Sequence, residues 1–448
     1  MSSWNVICDS AELAVECANG ARGLGLAIAP RISRAAVKDA LSSLKTHEPT
    51  ALGLLQPPSL DQVVHLAYVA RGQGQHLVLA VLNKQESAST TRDAALDLGI
   101  CAVDEVRPLL ALLALLRAGA RAPWTAKLGR LPDADRQRLR AAVRSGSDSD
   151  GELQRVDDAV LTWKSAADAA PVALGEARDV AAALAALRTT CDTTAEVEST
   201  VDGVESQAVL DVIYGPRRAL SDPASKAALR PYGLPLPVEE LCTSASRAAA
   251  EASRIGFPVR IALASPDLRI WEHPDLTVQM VDNAARVREV FRLLMGLGQQ
   301  RAPGERLLGV TVASATIARA LLGVAASPLV RGRIAMQIGF ADPHGAASGD
   351  ATTLVLPAPI SAIARGLARL RGARLVLDSR AAVRDANVES IADVLLRLAA
   401  FMNDRRAEVE TVEMRPLALL PDGSAEVREA LVMVGDAFER RMLRGGLP

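Results

Sequence analysis

The sequence predicts an α/β protein in three parts: a doubly wound parallel-sheet domain over residues 1–120, a helical insert or linker over 121–209, and a second α/β unit over 210–448. Three observations carry this. Short apolar runs alternate with helix-length amphipathic runs in the first part, the pattern of consecutive βαβ units. The strand signal fades after residue 118 and returns near 210. One run, "HLVLAVL" (76–82), is apolar without alternation, as in a parallel strand covered on both faces.

Taken in order, "NVIC" (5–8) reads as a strand and "ELAVECANGA" as a helix closed by glycine. "GLGLAIA" (23–29) reads as a second strand, and "SRAAVKDALSSL" as a helix with Ser33 at its N-cap. "ALGLLQP" is a third strand, "LDQVVHLAYVARG" has helical spacing, and "HLVLAVL" is the fourth strand. "GICAV" is a fifth, ahead of the apolar helix "DEVRPLLALLALLRAG". "SGSDSDGE" (145–152) is an acidic, turn-rich break, and "EARDVAAALAALRTT" a helix within the insert. Beyond 210, "DPASKAALRPYGLPLP" is a helix stopped by Gly233, and "TSASRAAAEASRIGFP" a capped Ala-rich helix ending at Gly256. "VRIALA", "LLGVTVA", "RIAMQIGF" and "VETVEMRPLALLPDG" read as strands. "DNAARVREVFRLLMGL" and "VESIADVLLRLAAFMND" read as helices.

Composition narrows the function classes. Lys+Arg (51) and Asp+Glu (52) nearly cancel, so there is no basic footprint for nucleic acid or an anionic membrane. The five cysteines are scattered and never spaced as CxxC, which argues against a disulfide framework or zinc site and for a reducing, cytoplasmic setting. No secretory signal is evident, and the run "LLALLALL" (109–116) is too short to span a bilayer. No Walker A, G-x-S-x-G, HExxH or Ser/His/Asp pattern appears. "NGARGLG" (19–25) has dinucleotide-like glycines but follows a helix, not a strand.

"LSDPASKAALRPYGLPLPVEELCTSASRAAAEASRIGFPV" (220–259) closely resembles the opening of the ATP-grasp domain of NDP-forming (ADP-forming) acyl-CoA synthetases, the acetate–CoA ligase family. That family reads E-x-E-A-K-x-L-L-x-x-Y-G-I-P-V-P, then after a helix G-[FY]-P-V-V-L-K and S-P-D. "VETVEMRPLALLPDG" is similar to its E-[IL]-D-[IL]-N-P-L strand. The match covers the last 230 residues or so and keeps element order. The first part resembles the flavodoxin-like domain upstream of ATP-grasp in fused members, through "PTALGLLQPPSLDQVVHLAYVARGQGQHLVLAVLNKQESASTTRDAALDLGICAVDEVRPLLALLALL".

The resemblance implies ADP/ATP interconversion coupled to acyl-CoA chemistry through a phosphohistidine, with a strand lysine and Mg²⁺ holding the phosphates. The matched positions depart from that need. Ala262 stands where the family has lysine, with Arg260 two residues earlier on the same strand face. Ser265 and Asp267 keep the S-P-D turn, so Arg260, Ser265 and Asp267 are the candidate nucleotide-binding residues. Ile270 and Trp271 replace a His-Lys pair, with His273 displaced. Glu413 keeps a carboxylate for metal, but Arg415 replaces the amide that would ligate beside it. Leu354 takes the place of a phosphate-facing arginine. The Gly-rich "GFADPHGAASGD" offers only backbone N–H groups to an anion. None of His47, His65, His76, His273 or His344 sits in an H-T-G-A phosphohistidine context.

The resulting expectation is a degenerate ATP-grasp protein with no catalytic residue to name, acting as a binding, regulatory or scaffold protein. Four lost charges around a polyanion are hard to offset. The cleft at Arg260, Ala262, Trp271, Leu354 and Arg415 is expected to be filled by side chains, Trp271 above all. A protein partner or homo-oligomer is expected, and CoA or an acyl ligand is admitted. No cofactor is certain. ATP or ADP with Mg²⁺ belongs to the alternative, an active ADP-forming acid–CoA ligase subunit completed by a partner chain with the CoA-binding and phosphohistidine domains.

Overall fold

The computed structural model describes residues 4–45, 49–117, 126–128, 131–140, 151–155, 160–165, 171–191, 200–342, 347–378 and 380–443. His47, His344 and residues 145–150 of the acidic break lie outside them. Backbone contacts divide the chain into two units, Met1–Glu196 and Val197–Pro448.

The first unit opens with β1 (Trp4–Cys8), α1 (Ala11–Gly23), β2 (Ile28–Ile32), α2 (Ala36–Lys45), β3 (Thr50–Leu54), α3 (Leu60–Gly72), β4 (Leu77–Val81), α4 (Glu86–Asp97), β5 (Cys101–Val103) and α5 (Val106–Arg117). The sheet is parallel, in the order β2-β1-β3-β4-β5. That is the order of flavodoxin-like sheets, with its reversal between β1 and β3. Every residue of β3 and β4 is buried, as the unalternating run demanded. Two boundaries differ from the sequence reading. α1 runs on to Gly23 and closes through Leu26 N–H to Ala21 O, so β2 begins only at Ile28, in register with Trp4. Ser33 accepts from the Ala35 N–H in a turn ahead of α2 and does not cap it.

The expected helical insert is also corrected. β6 (Ala126–Leu128), α6 (Asp133–Arg140), β7 (Gly151–Arg155), β8 (Leu161–Ser165), β9 (Val172–Gly175) and α7 (Ala177–Cys191) include a four-stranded sheet, β6-β7-β8-β9. The strands escaped notice because "GELQR", "LTWKS" and "VALG" are too short to show a period. The physical reason they pack here is α5. Val106 and every residue from Pro108 to Leu115 are buried, so the helix is apolar all round and needs cover on two sides. The parallel sheet supplies one side. Leu153, Leu161, Trp163 and Leu174 of the small sheet, with Val180 and Leu184 of α7, join the same core. Each fully buried leucine there contributes on the order of 1.5–3 kcal/mol.

The second unit begins with α8 (Ser206–Ile213), β10 (Arg218–Ala219), α9 (Asp222–Leu229), β11 (Glu239–Cys242), α10 (Ala245–Ile255), β12 (Val259–Ala264), β13 (Thr277–Val281), α11 (Ala284–Arg301) and β14 (Gly309–Ser314). It continues with β15 (Ala320–Pro328), β16 (Ile334–Ala341), β17 (Ala347–Leu356), α12 (Ile360–Ala368), α13 (Ala381–Asp404), β18 (Val409–Leu419), β19 (Ala425–Val427), β20 (Ala430–Val434) and α14 (Ala437–Leu443). These strands form two sheets. One is four-stranded, β11-β14-β12-β13, and covered by α10 and α11. The other is seven-stranded, β10-β20-β18-β15-β16-β17 with β19 on β18, and packs on α12 and α13. Ser244 and Asn283 cap α10 and α11 through their side chains, and Gly233 stops the α9 segment at φ 71°. None of the described helices is long and apolar enough to cross a membrane.

Candidate functional site

β12 sets the geometry of the site. Val259, Ile261 and Leu263 face the apolar layer with α10 and α11, so strand alternation turns Arg260 and Ala262 to the other face. β12 lies between β13 and β14, so Arg260 is not at a sheet edge. Its side chain is 4% exposed and already satisfied. Nη1 donates to Glu429 Oε1 at 2.9 Å, and Nη2 donates to the Arg428 carbonyl at 3.0 Å. Glu239 Oε2 lies 3.8 Å away. Ala262, also buried, presents only a methyl group.

The turn after β12 is closed in the same manner. Ser265 accepts through Oγ from the Asp267 N–H at 3.1 Å. Asp267 in turn accepts from the Arg306 N–H at 3.0 Å and from its Nε and Nη2 at 3.2 and 3.3 Å. Those hydrogen bonds hold the Asp267 carboxyl below its ordinary value. Trp271 is buried in the 3₁₀ turn Ile270–Glu272, and His273 is half-buried beside it.

On β18, Glu413 sits between two guanidinium groups. Arg415 Nε is 3.3 Å from one carboxylate oxygen and Arg269 Nη2 is 3.6 Å from the other. The Arg415 stem lies over Gly323 of β15, where an added Cβ would come within 3.5 Å of Arg415 Cγ. This donor set does not fit a divalent cation: one carboxylate, two competing cations and no amide oxygen. Among the described residues no group of three or more His, Cys, Asp or Glu could hold a metal ion.

Leu354 is a correction. It was expected in the cleft, but it belongs to the core beneath α12, with Leu354 Cδ2 so near that a Cβ on Gly366 would meet it at 2.2 Å. A leucine in an alternating strand turns toward the apolar layer.

The structure brings together residues the sequence reading missed. Lys226, within the "DPASK" of α9, was given no role from the sequence. It is 1% exposed and donates to Asp222 at 2.8 Å, to Glu239 at 2.7 Å and to the Arg428 carbonyl at 2.6 Å. Glu239 and Glu429 carried no sequence signal.

The first unit holds a separate cavity of about 580 Å³. Asp9, Ser10, Arg34, Lys38, Gln56 and Gln62 supply its polar lining. It opens where the chain leaves β1 and β3, at the reversal of strand order, where open α/β sheets place ligands. Ser10 caps α1 and Ser59 caps α3 in a capping box with Gln62, so two helix N-termini stand at its wall. Asp9 Oδ2 accepts from the Leu55 and Gln56 N–H groups at 2.8 and 3.1 Å, fixing the wall. Arg34 and Lys38 against Asp9 leave the lining with one net positive charge, so it suits an anionic ligand.

Comparison with known proteins bears on the second unit. The chain is 20% identical over 225 residues to the beta subunit of acetate–CoA ligase [ADP-forming] II of Pyrococcus furiosus, covering 48% of this chain and 92% of that one. Among solved structures it is similar to the dinucleotide-forming acetyl-coenzyme A synthetase 1 of Ca. Korarchaeum cryptofilum (18% identity, 49% of this chain, 94% of that one, TM-score 0.44). It is also similar to PH1788 of Pyrococcus horikoshii (18% identity, 51% and 98%, TM-score 0.45). The ATP-grasp domain model matches residues 211–434, half of the sequence, and the chain therefore belongs to the ATP-grasp family.

Proposed function

We propose that this acyl-CoA-synthetase-like ATP-grasp protein does not turn over nucleotide and serves as a binding, regulatory or scaffold protein. One observation carries the reading: Arg260, the cation nearest the missing lysine, is buried and saturated by Glu429 and the Arg428 carbonyl, with Ala262 beside it. Phosphoryl transfer rests on positioned charge around the phosphates. Here Arg260, Asp267, Glu413 and Arg415 spend their charge on one another or on neighbours. A nucleotide would have to break these pairs, and each buried pair broken leaves an uncompensated charge.

The binding role belongs to the first unit. Its cavity suits an anionic ligand, and CoA or an acyl ligand is the class the resemblance admits. A protein partner fits the naming of the Pyrococcus furiosus relative as a subunit.

The test is a thermal-shift titration with Mg-ADP and Mg-ATP at millimolar concentration. No shift is expected, whereas a site filled to a hundred times its Kd would add about 2.7 kcal/mol of stability. A saturable shift abolished by Glu413→Gln overturns the proposal. Co-purification with a chain carrying a phosphohistidine domain, together with ADP-forming activity of the mixture, establishes the active-subunit alternative instead. CoA and acetyl phosphate titrated against the wild type and Arg34→Ala/Lys38→Ala test the cavity: saturable binding lost in the variant is expected.

A further inference from the structure

The interior of the second unit contains an ion cluster that neither a nucleotide nor a metal explains. Lys226 and Asp222 come from α9, Glu239 from β11 and Arg260 from β12. Glu426 comes from β19, and Arg428 and Glu429 from the turn into β20. Arg428, 7% exposed, pairs with Glu426 at 3.3 Å and donates to the hydroxyl and carbonyl oxygens of Thr316, which lies between β14 and β15. The cluster therefore ties the four-stranded sheet, through Glu239 and Arg260, to the seven-stranded sheet, through Arg428 and Glu429. α9 is bound into the same knot, because Asp222 Oδ1 accepts from the Ala430 N–H at 2.8 Å.

The charges do not balance when all are ionised. Three cations, Lys226, Arg260 and Arg428, face four carboxylates, Asp222, Glu239, Glu426 and Glu429. Arg415 of β18 meets Glu429 only through its backbone N–H, and its side chain is paired with Glu413. Glu429 is the carboxylate without full compensation. Its Oε1 takes Arg260, and its buried Oε2 has no hydrogen-bond partner. Burial pushes its carboxyl up to about 7, with Asp222 and Glu239 adding to the rise and Arg260 and Lys226 opposing it. Glu239 is raised as well, again chiefly by burial.

We infer that this cluster is a proton-operated clasp: the two sheets of the second unit are held shut when Glu429 is protonated, and they loosen when it ionises. With Glu429 neutral, three carboxylates match three cations. Ionisation adds an unmatched negative charge in a low-dielectric interior, and opening relieves it by admitting water. Closing therefore takes up a proton, and opening releases it. The inference rests on the cluster's geometry and holds whether or not the chain binds nucleotide.

The experiment is amide hydrogen exchange by mass spectrometry on the full chain, with rates corrected for intrinsic base catalysis. Linkage sets the size. If the open state returns Glu429 to an ordinary carboxyl, the open population rises about tenfold between about pH 6 and pH 8. Peptides over β12 and β20 are expected to show that rise, and peptides of the first unit to lack it. Glu429→Gln, a neutral isostere, is expected to flatten the profile, while Glu289→Gln on the exposed face of α11 leaves it unchanged. Equal pH dependence in the wild type and Glu429→Gln, or none in the wild type, overturns the inference. Should Glu429→Gln fail to fold, infrared difference spectra of the wild type decide: a protonated-carboxyl band at about pH 6 that is gone by about pH 8 is expected. Its absence overturns the clasp.

Discussion

Lys226→Met tests the energetic weight of the buried cluster. Methionine keeps the apolar stem, so little packing is lost and the change is close to the removal of one charge. Lys226 Nζ has three acceptors and is 1% exposed. Its loss leaves Glu239, 6% exposed, with only Arg260 at 3.8 Å, whereas Asp222, 14% exposed, keeps the Ala430 N–H and some water. Removing one partner of a buried pair costs about 3–5 kcal/mol. Because Asp222 is partly relieved, the lower half applies, about 3–4 kcal/mol, or a fall of about 6–16 °C in the Tm of a unit this size. Scanning calorimetry with two transitions resolves the second unit from the first. Lys226→Met/Glu239→Gln should recover part of the loss, since the stranded carboxylate is then neutral. A loss below about 1 kcal/mol, or a double variant no better than the single, would show that the cluster is not the electrostatic knot described.

Other perturbations have defined outcomes. Gly366→Ala should cost about 1–3 kcal/mol by overpacking against Leu354, and Gly366→Ala with Leu354→Val should recover part of it in urea unfolding. Gly309→Ala should be worse, because φ is +133° and the new Cβ would sit 2.2 Å from the Cys242 carbonyl oxygen. Lost protection of the β11–β14 amides in hydrogen exchange is its signature. Ser59→Ala removes half of the α3 capping box and should cost about 1 kcal/mol, read in the transition of the first unit. Asp267 has a carboxyl lowered from 3.8 by Arg306, so its contribution is present above that value and lost as pH falls through the lowered one. Asp267→Asn should remove this limb from the acid-denaturation curve.

Local chemistry was legible where a single element decides its own fate. Gly233, the Thr/Ser cap ahead of α10 and the unbroken apolar run of β4 each announce a stop, a cap or a doubly covered strand. The small sheet β6-β7-β8-β9 was not legible, because its strands are too short to show a period and are held by the all-apolar α5 they cover.

The sequence by itself determined the α/β class and the elements of the first sheet, since these depend on residue type and spacing, and its resemblance to the family marked the substitutions Ala262, Trp271 and Arg415. Only the tertiary structure decided where the charges went. Lys226 lies 202 positions from Arg428, whose carbonyl it meets, and Glu429 lies 169 positions from Arg260. Such contacts depend on which element faces which, so the burial of Arg260 against Glu429 could be read only once the two sheets had met, and the placing of Leu354 in the core only once α12 covered β17.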